Sequence, residues 1–327
     1  MRRLFMWLLT VWLGASLIFA IPRLAGGDPV AAMVSRLAAQ SGRVEGAAEL
    51  IAVWRLRFGL DGPWYVQYFN FLKNCLTFDF GYSLTQFPTL VWEMVSRALP
   101  WTLGLLIFAT LVTFLYGNSV GAIIGWRKTP AAIRNLLPLT LTFGSIPPFL
   151  FGLLLLFVFG YTLHWFPNTG GYDVAKHQPG FNLSFIGDAI YHSVLPALAI
   201  ILTSGGGWAL GMRGMMVTTD GEDYMILGQA KGLSPGRLFL RYAVRNALLP
   251  QLTALALTMG LIVGGSTLVE TYFVYPGIGY LLNFAILNGD FTLIQGIVFI
   301  LILATATAVL IVDLCYPLID PRISLRK

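Results

Sequence analysis

Six stretches of this chain contain no Asp, Glu, Lys or Arg: residues 4–22, 98–126, 135–163, 189–212, 246–269 and 291–312. Each reaches or nearly reaches the roughly 20 apolar residues that a helix needs to cross about 30 Å of hydrocarbon. Isolated strands are excluded, because lipid offers no partners for their backbone N–H and C=O groups. The expectation is an all-α integral membrane protein with six transmembrane helices. Composition agrees: 57% of residues are apolar and 11% charged, against roughly a quarter charged in soluble domains.

The basic residues set an orientation. With the N-terminus inside, 13 of the 21 fall on inner segments: Arg2, Arg3, Arg127, Lys128, Arg134, Arg213, Lys231, Arg237, Arg241, Arg245, Arg322, Arg326 and Lys327. Seven of the other eight lie in the long outer stretch 23–97, and the short outer segments 164–188 and 270–290 hold only Lys176. Both termini are thus expected in the cytoplasm. The same bias explains the net charge of +6 without nucleic-acid binding. The first apolar run, at 19 residues, exceeds the usual 7–15 of a cleaved signal peptide and predicts a retained span. Cys75 falls outside and Cys315 near the inner end of the last span, so no disulfide framework is implied.

These segments divide the chain into a first transmembrane helix (1–22), an extracytoplasmic segment (23–97), a core (98–317) with an inner loop at 214–250, and a cytoplasmic tail (318–327). In the outer segment, Trp54, Leu56 and Phe58, then Trp64, Tyr65, Tyr68, Phe69 and Leu72, predict amphipathic helices on the outer surface. Gly59 to Pro63 reads as a turn.

The inner loop carries the strongest local signal. From Glu222 to Pro250 it predicts two short helices meeting at a corner. Gly232 is placed as the left-handed residue that stops the first helix, followed by the apolar Leu233. Ser234 offers a side-chain oxygen to cap the second helix, and Pro235 sits at its first position, where a missing N–H costs nothing. Glu222 and Asp223 lie at the start of the first helix, where negative charge suits the dipole. A rigid corner of this kind fits a groove on a partner.

Weaker candidates sit in the spans. Gly117, Gly121 and Gly125, Gly207 and Gly211, and Gly260 and Gly264 are small residues four apart, which permit close helix approach. Static packing is the plainer use, and a sliding dimer interface or pathway the functional one. Glu270 and Asp313 lie near span ends, where charge is cheap; a structural role is favoured over a substrate or proton route. His164, His177 and His192 lack ligand spacing with any Cys, Asp or Glu cluster, so no metal site is expected. No nucleophile–base pair appears, and none of the five lysines follows a glycine, as a P-loop requires. The chain therefore reads as no enzyme and binds no cofactor of its own. An ion-gradient transporter would place carboxylates at mid-membrane, and a channel would show charge rings or a filter loop; neither pattern is present.

Asp223-Tyr224, Ala230-Lys231-Gly232-Leu233-Ser234 and Arg245-Asn246-Ala247-Leu248-Leu249-Pro250 closely resemble the EAA loop of ABC importer permeases, in the longer form of the dipeptide, oligopeptide and nickel family. Further matches are Gly27-Asp28-Pro29-Val30, Phe58-Gly59-Leu60-Asp61 with Gln67-Tyr68, Asp79-Phe80-Gly81-Tyr82-Ser83, Val269-Glu270-Thr271, Tyr275-Pro276-Gly277-Ile278-Gly279 and Asp320-Pro321-Arg322-Ile323. The resemblance is to the first-permease type and covers nearly the whole chain. It implies a five-helix permease core of the type I importer fold behind the first helix, in a bacterial or archaeal plasma membrane. It also implies a second homologous permease, two cytoplasmic ATPases that use ATP and Mg, and an extracytoplasmic solute-binding protein. Coupling to the ATPases falls on Glu222, Asp223, Tyr224, Ala230, Lys231, Gly232, Leu233, Ser234, Arg237, Arg245 and Asn246. Gly228, Tyr242 and Tyr275 stand where the family commonly has alanine or another small residue, histidine and tryptophan. The cargo implied is peptides; the long segment 164–188 resembles oligosaccharide importers and keeps that alternative open.

Overall fold

The computed structural model describes residues 2–24, 53, 62–135, 137–262 and 266–319. Four of the expected spans are single helices long and apolar enough to cross a membrane: α1 (Arg2–Leu24), α3 (Val91–Gly125), α6 (Leu183–Asp220) and α11 (Phe291–Ile319). Their large apolar side chains stay exposed, as Leu4, Phe5, Leu8 and Trp12 are on α1. That is the surface lipid would cover. No strand occurs among the described residues; the single β-bridge is Tyr82 to Leu90.

The third span is not one helix. It is broken between α4 (Leu137–Gly144) and α5 (Pro148–Leu155), which runs on as the π-helix Leu156–Thr162; the helices on either side of the break bend by 96°. The reason is the Pro147-Pro148 pair, which removes two N–H donors and disfavours helix at the residue before it. The fifth span begins as α8 (Arg245–Leu261), and the helix α9 (Thr267–Tyr272) follows. Gly264 lies outside the described residues, as do Trp54, Leu56, Phe58 and the tail from residue 320.

The chain forms two compact units. The first comprises residues 1–102, 263–267 and 276–313. Here the predicted outer helix appears as α2 (Trp64–Thr77), packed on α1 rather than standing alone: the Tyr68 hydroxyl lies 2.7 Å from Ser16 Oγ, and Phe19 meets Tyr68 edge-on at 5.2 Å. Ala15, Ile18, Cys75 and Phe299 are buried together. Burial pushes the Cys75 thiol up to about 12, which leaves it unreactive. A second cluster joins Val91, Val95 and Ala98 of α3 to Ala285 of α10 (Ile278–Asn288) and to Leu293 and Ile297 of α11.

That unit is fastened by one carboxylate. Helix α10 ends at Gly289, whose φ is +61°; the Gly289 N–H donates to Ile286 O and the Asp290 N–H to Ala285 O at 2.8 Å. Asp290, fully buried, then caps α11: its Oδ1 accepts from the Leu293 N–H at 3.0 Å and the Thr292 hydroxyl at 2.9 Å. Its Oδ2 accepts from the Ser83 hydroxyl, the Thr85 N–H at 3.0 Å and the Thr85 hydroxyl at 2.8 Å. Burial pushes this carboxyl up, but the bonds from Ser83, Thr85 and Leu293 outweigh it and hold it below its ordinary value. The motif ending in Ser83 is thus pinned to the start of the last helix.

The second unit comprises residues 103–262, 268–275 and 314–327. Glycines 117, 121 and 125 all face α6. A Cβ at any of them would come under 3.0 Å from Trp208, Ala209 or Met216, so the two helices cross at the distance that only glycine permits. Gly207 faces open space, and Gly211 lies beside the Gln251 amide. Glu270 is fully buried rather than solvated; its carbonyl accepts from the Tyr275 N–H at 2.8 Å. Burial pushes the Tyr275 hydroxyl up to about 12, and it lies 3.0 Å from Ser193 Oγ. The segment 164–188 is folded: Asp173 pairs with Lys176 at 2.7 Å, its N–H reaches Asp188 at 2.6 Å, and Asn182 caps α6 through Phe185 N–H at 2.7 Å.

Candidate functional site: the helical corner at Gly232

Helix α6 stops at Asp220, and Glu222 opens α7 (Asp223–Ala230) with an extended backbone; its carbonyl accepts from the Met225 N–H at 2.9 Å. The end of α7 is closed by two bonds: the Gly232 N–H donates to Gln229 O at 2.9 Å, and the Leu233 N–H to Gly228 O at 3.2 Å. This is a Schellman turn, with Gly232 at φ +71° and Leu233 as the apolar residue that follows. A Cβ at position 232 would meet nothing within 4 Å. Glycine is therefore required by the backbone and not by space.

Two expectations for the corner are corrected. Ser234 starts the next helix, but its side chain makes no capping bond; the carbonyl of Ser234 accepts from the Leu238 N–H at 3.0 Å instead. Nor is the second helix short. The turn Pro235–Arg237 widens into a π-helix at Leu238–Val244 and continues into α8 without a break. The corner therefore ends directly in a span.

Its base is buried. Met225, Leu238, Ala243 and Ala247 pack with Met212 and Met216 of α6 and with Ala122 and Trp126 at the end of α3. Trp126 meets Phe239 edge-on at 5.4 Å. Gly228 packs closely here: a Cβ there would lie 2.7 Å from Leu238 Cδ2 and 3.4 Å from Leu233 Cδ1. One further contact went unread in the sequence. Arg127 Nε lies 3.6 Å from Asp220 Oδ2, tying the segment after α3 to the end of α6. Asp220 is the one acidic residue in the six positions before the Gly221 helix stop.

The opposite face is open. Glu222, Asp223, Ala230, Lys231, Gly232, Ser234, Arg237, Arg245 and Asn246 are exposed, with Tyr224 and Leu233 half-buried. Ile226 and Leu227, 58% and 56% exposed, make an apolar ridge on α7. All eleven predicted coupling residues thus belong to one corner, with an acidic edge at 222–223 and basic residues at 231, 237 and 245. Nothing in this arrangement offers a nucleophile and base.

Comparison with known proteins identifies the family. The sequence profile described as "Binding-protein-dependent transport system inner membrane component" matches residues 117–325, which include the corner. The Oligopeptide transport system permease protein AppB of Bacillus subtilis is 31% identical, covering 96% of this chain and 95% of its own. The Di/tripeptide transport system permease protein DppB of Pseudomonas aeruginosa is 33% identical over 97% and 96% of the two chains. The Glutathione transport system permease protein GsiC of Salmonella typhimurium is 32% identical over 99% and 97%. Permeases of this kind operate with a solute-binding protein and with separate ATPase subunits, and they are transport components rather than enzymes. With a matching profile over most of the core and relatives aligned end to end, the chain belongs to the family of binding-protein-dependent, ABC-type permeases, as a multi-pass membrane protein.

Proposed function

We propose that this permease forms half of the translocation pathway for short peptides, paired with a second homologous permease and served by two ATPases. In this reading it sits in a bacterial or archaeal plasma membrane with both termini in the cytoplasm. ATP and Mg are used on the ATPases, since none of the lysines here follows a glycine. Peptide cargo rests on the names of the relatives, which transport oligopeptides, di- and tripeptides and glutathione. Oligosaccharide import, suggested by the length of 164–188, finds no support among them.

The observation that carries the mechanism is the corner's two-sided build. Its buried side is continuous with the inner ends of α3 and α6 through Met225, Leu238 and Trp126, and its far end runs straight into α8. Its exposed side presents Ile226 and Leu227 flanked by charge. An ATPase gripping α7 would therefore move three helices at once, because close-packed interiors transmit displacement rather than absorb it. Selection of cargo is left to the binding protein, and the pathway itself need only be wide and weakly polar.

Gly232→Val tests the coupling. A Cβ there would meet nothing within 4 Å, yet a β-branched residue in the left-handed region costs about 1–2 kcal/mol, enough to tilt α7 away. The variant should reach the membrane at wild-type levels while losing both co-purifying ATPase and peptide uptake. Full ATPase binding with full uptake would remove the corner from the mechanism. Intact coupling with uptake of another solute class would instead overturn the cargo.

A further inference from the structure

Between α1 and α11 lies an open groove of about 670 Å³, lined from Val298 to Asp313 on one side and from Arg2 to Thr10 on the other. At 1.5 Å per residue it runs about 22 Å along α11, more than one leaflet's share of a roughly 30 Å hydrocarbon core. Its length is apolar, with Trp7, Leu301 and Leu310 among the walls, while Arg2, Arg3 and Asp313 gather at one end. Arg3 is held there: a guanidinium N–H donates to the backbone carbonyl of Asp313. That uses one of its five donors. Trp7 is fixed as well, its indole N–H donating to Thr307 Oγ1 at 3.1 Å.

A long apolar slot headed by two guanidinium groups matches one kind of molecule: an acyl chain carrying a phosphate. We propose that this groove holds an anionic phospholipid, its phosphate on Arg2 and Arg3 and one chain lying against α11. Arginine's planar fork suits phosphate oxygens in pairs, and basic pockets between spans draw anionic headgroups. Asp313 sets the limit on affinity, since its carboxylate, on the exposed edge of α11, offsets part of the arginine charge. A zwitterionic lipid would gain the slot but not the head contact. The two arginines thus distinguish lipids by headgroup, in addition to orienting the first span.

The test uses the purified permease–ATPase complex, titrated with phosphatidylglycerol and separately with phosphatidylcholine and read by native mass spectrometry. Wild type should bind phosphatidylglycerol about tenfold more tightly, in line with two basic contacts partly offset by one acid. Arg2→Gln with Arg3→Gln should erase that ratio. Because those arginines also orient the chain, the deciding variant is Asp313→Asn, which keeps both and should raise the ratio severalfold. Val309→Trp, which fills the slot, should weaken both lipids while ATPase association stays intact. A wild-type ratio near one, or a ratio indifferent to Asp313 and to the arginines, overturns the proposal. Phosphatidylglycerol binding that appears only after deletion of residues 320–327 assigns the groove to the chain's own tail and overturns it as well.

Discussion

The chain uses the same backbone device twice. At Gly232 and at Gly289 a helix ends in a left-handed glycine, with φ of +71° and +61°, closed by one bond to the residue three back and a second, from the next residue, to the one five back. A new helix begins at once in each case. What differs is where the side chains go. After Gly289, Asp290 turns inward and its two oxygens accept five hydrogen bonds, from Ser83, Thr85, Thr292 and Leu293. After Gly232, Leu233 packs beside Gly228, and Ser234 is exposed and makes no capping bond with its side chain. A turn whose polar groups are consumed inside is a fastening. One closed by its backbone alone leaves its side chains on the surface.

The sharpest way to break this contrast is to remove the inward carboxylate. Asp290→Ala would strand the buried Ser83 hydroxyl and the buried Leu293 N–H, at a cost of about 3 kcal/mol. The melting temperature of the purified complex should fall by several degrees, while ATPase association in the surviving fraction is normal. The acid dependence follows with a definite sign. The carboxyl of Asp290 is held below its ordinary 3.8 in the folded protein, so its contribution is full above that value and fades as pH falls below it. Wild type should therefore lose melting temperature in that acid range, and Asp290→Ala should lose less.

Changes at the corner should be smaller in stability. Gly228→Ala sets a helix-propensity gain of about 1 kcal/mol against crowding of Leu238 Cδ2 at 2.7 Å. Because that atom is the far end of a side chain, the two effects should nearly cancel, leaving a net change within about 0.5 kcal/mol. Ser234→Ala should do least of all. A working N-cap is worth about 1 kcal/mol, but this hydroxyl makes no capping bond, and thermal unfolding should not distinguish the variant from wild type.

The two turns also mark what could be read in advance. Gly232-Leu233-Ser234-Pro235 announces a helix stop and start within four residues, and the structure follows it because the information is local. Asn288-Gly289-Asp290-Phe291 carries the same punctuation and could have been read the same way. Its partner could not: Ser83 lies 207 residues away, and nothing in either segment names the other. The broken third span was legible in Pro147-Pro148, yet the unbroken run of uncharged residues around it reads as one helix. The π-helix at Leu238–Val244 left no local mark; its residues Leu238, Phe239 and Ala243 lie in the buried cluster with Trp126 and the methionines of α6. The eleven residues proposed for coupling were legible as a family pattern, whereas the exposure of nine of them is a product of folding.

The most direct test of the corner's outward role is photo-cross-linking within the assembled importer. A photoreactive residue would be placed singly at Ile226, which is 58% exposed, at its buried neighbour Met225, and at Leu287 on α10, which is 72% exposed. Position 226 should cross-link to the ATPase subunit, and positions 225 and 287 should not, because contact requires both exposure and the corner. An ATPase adduct from 287 as strong as that from 226, or none from 226 in an active complex, would contradict the account.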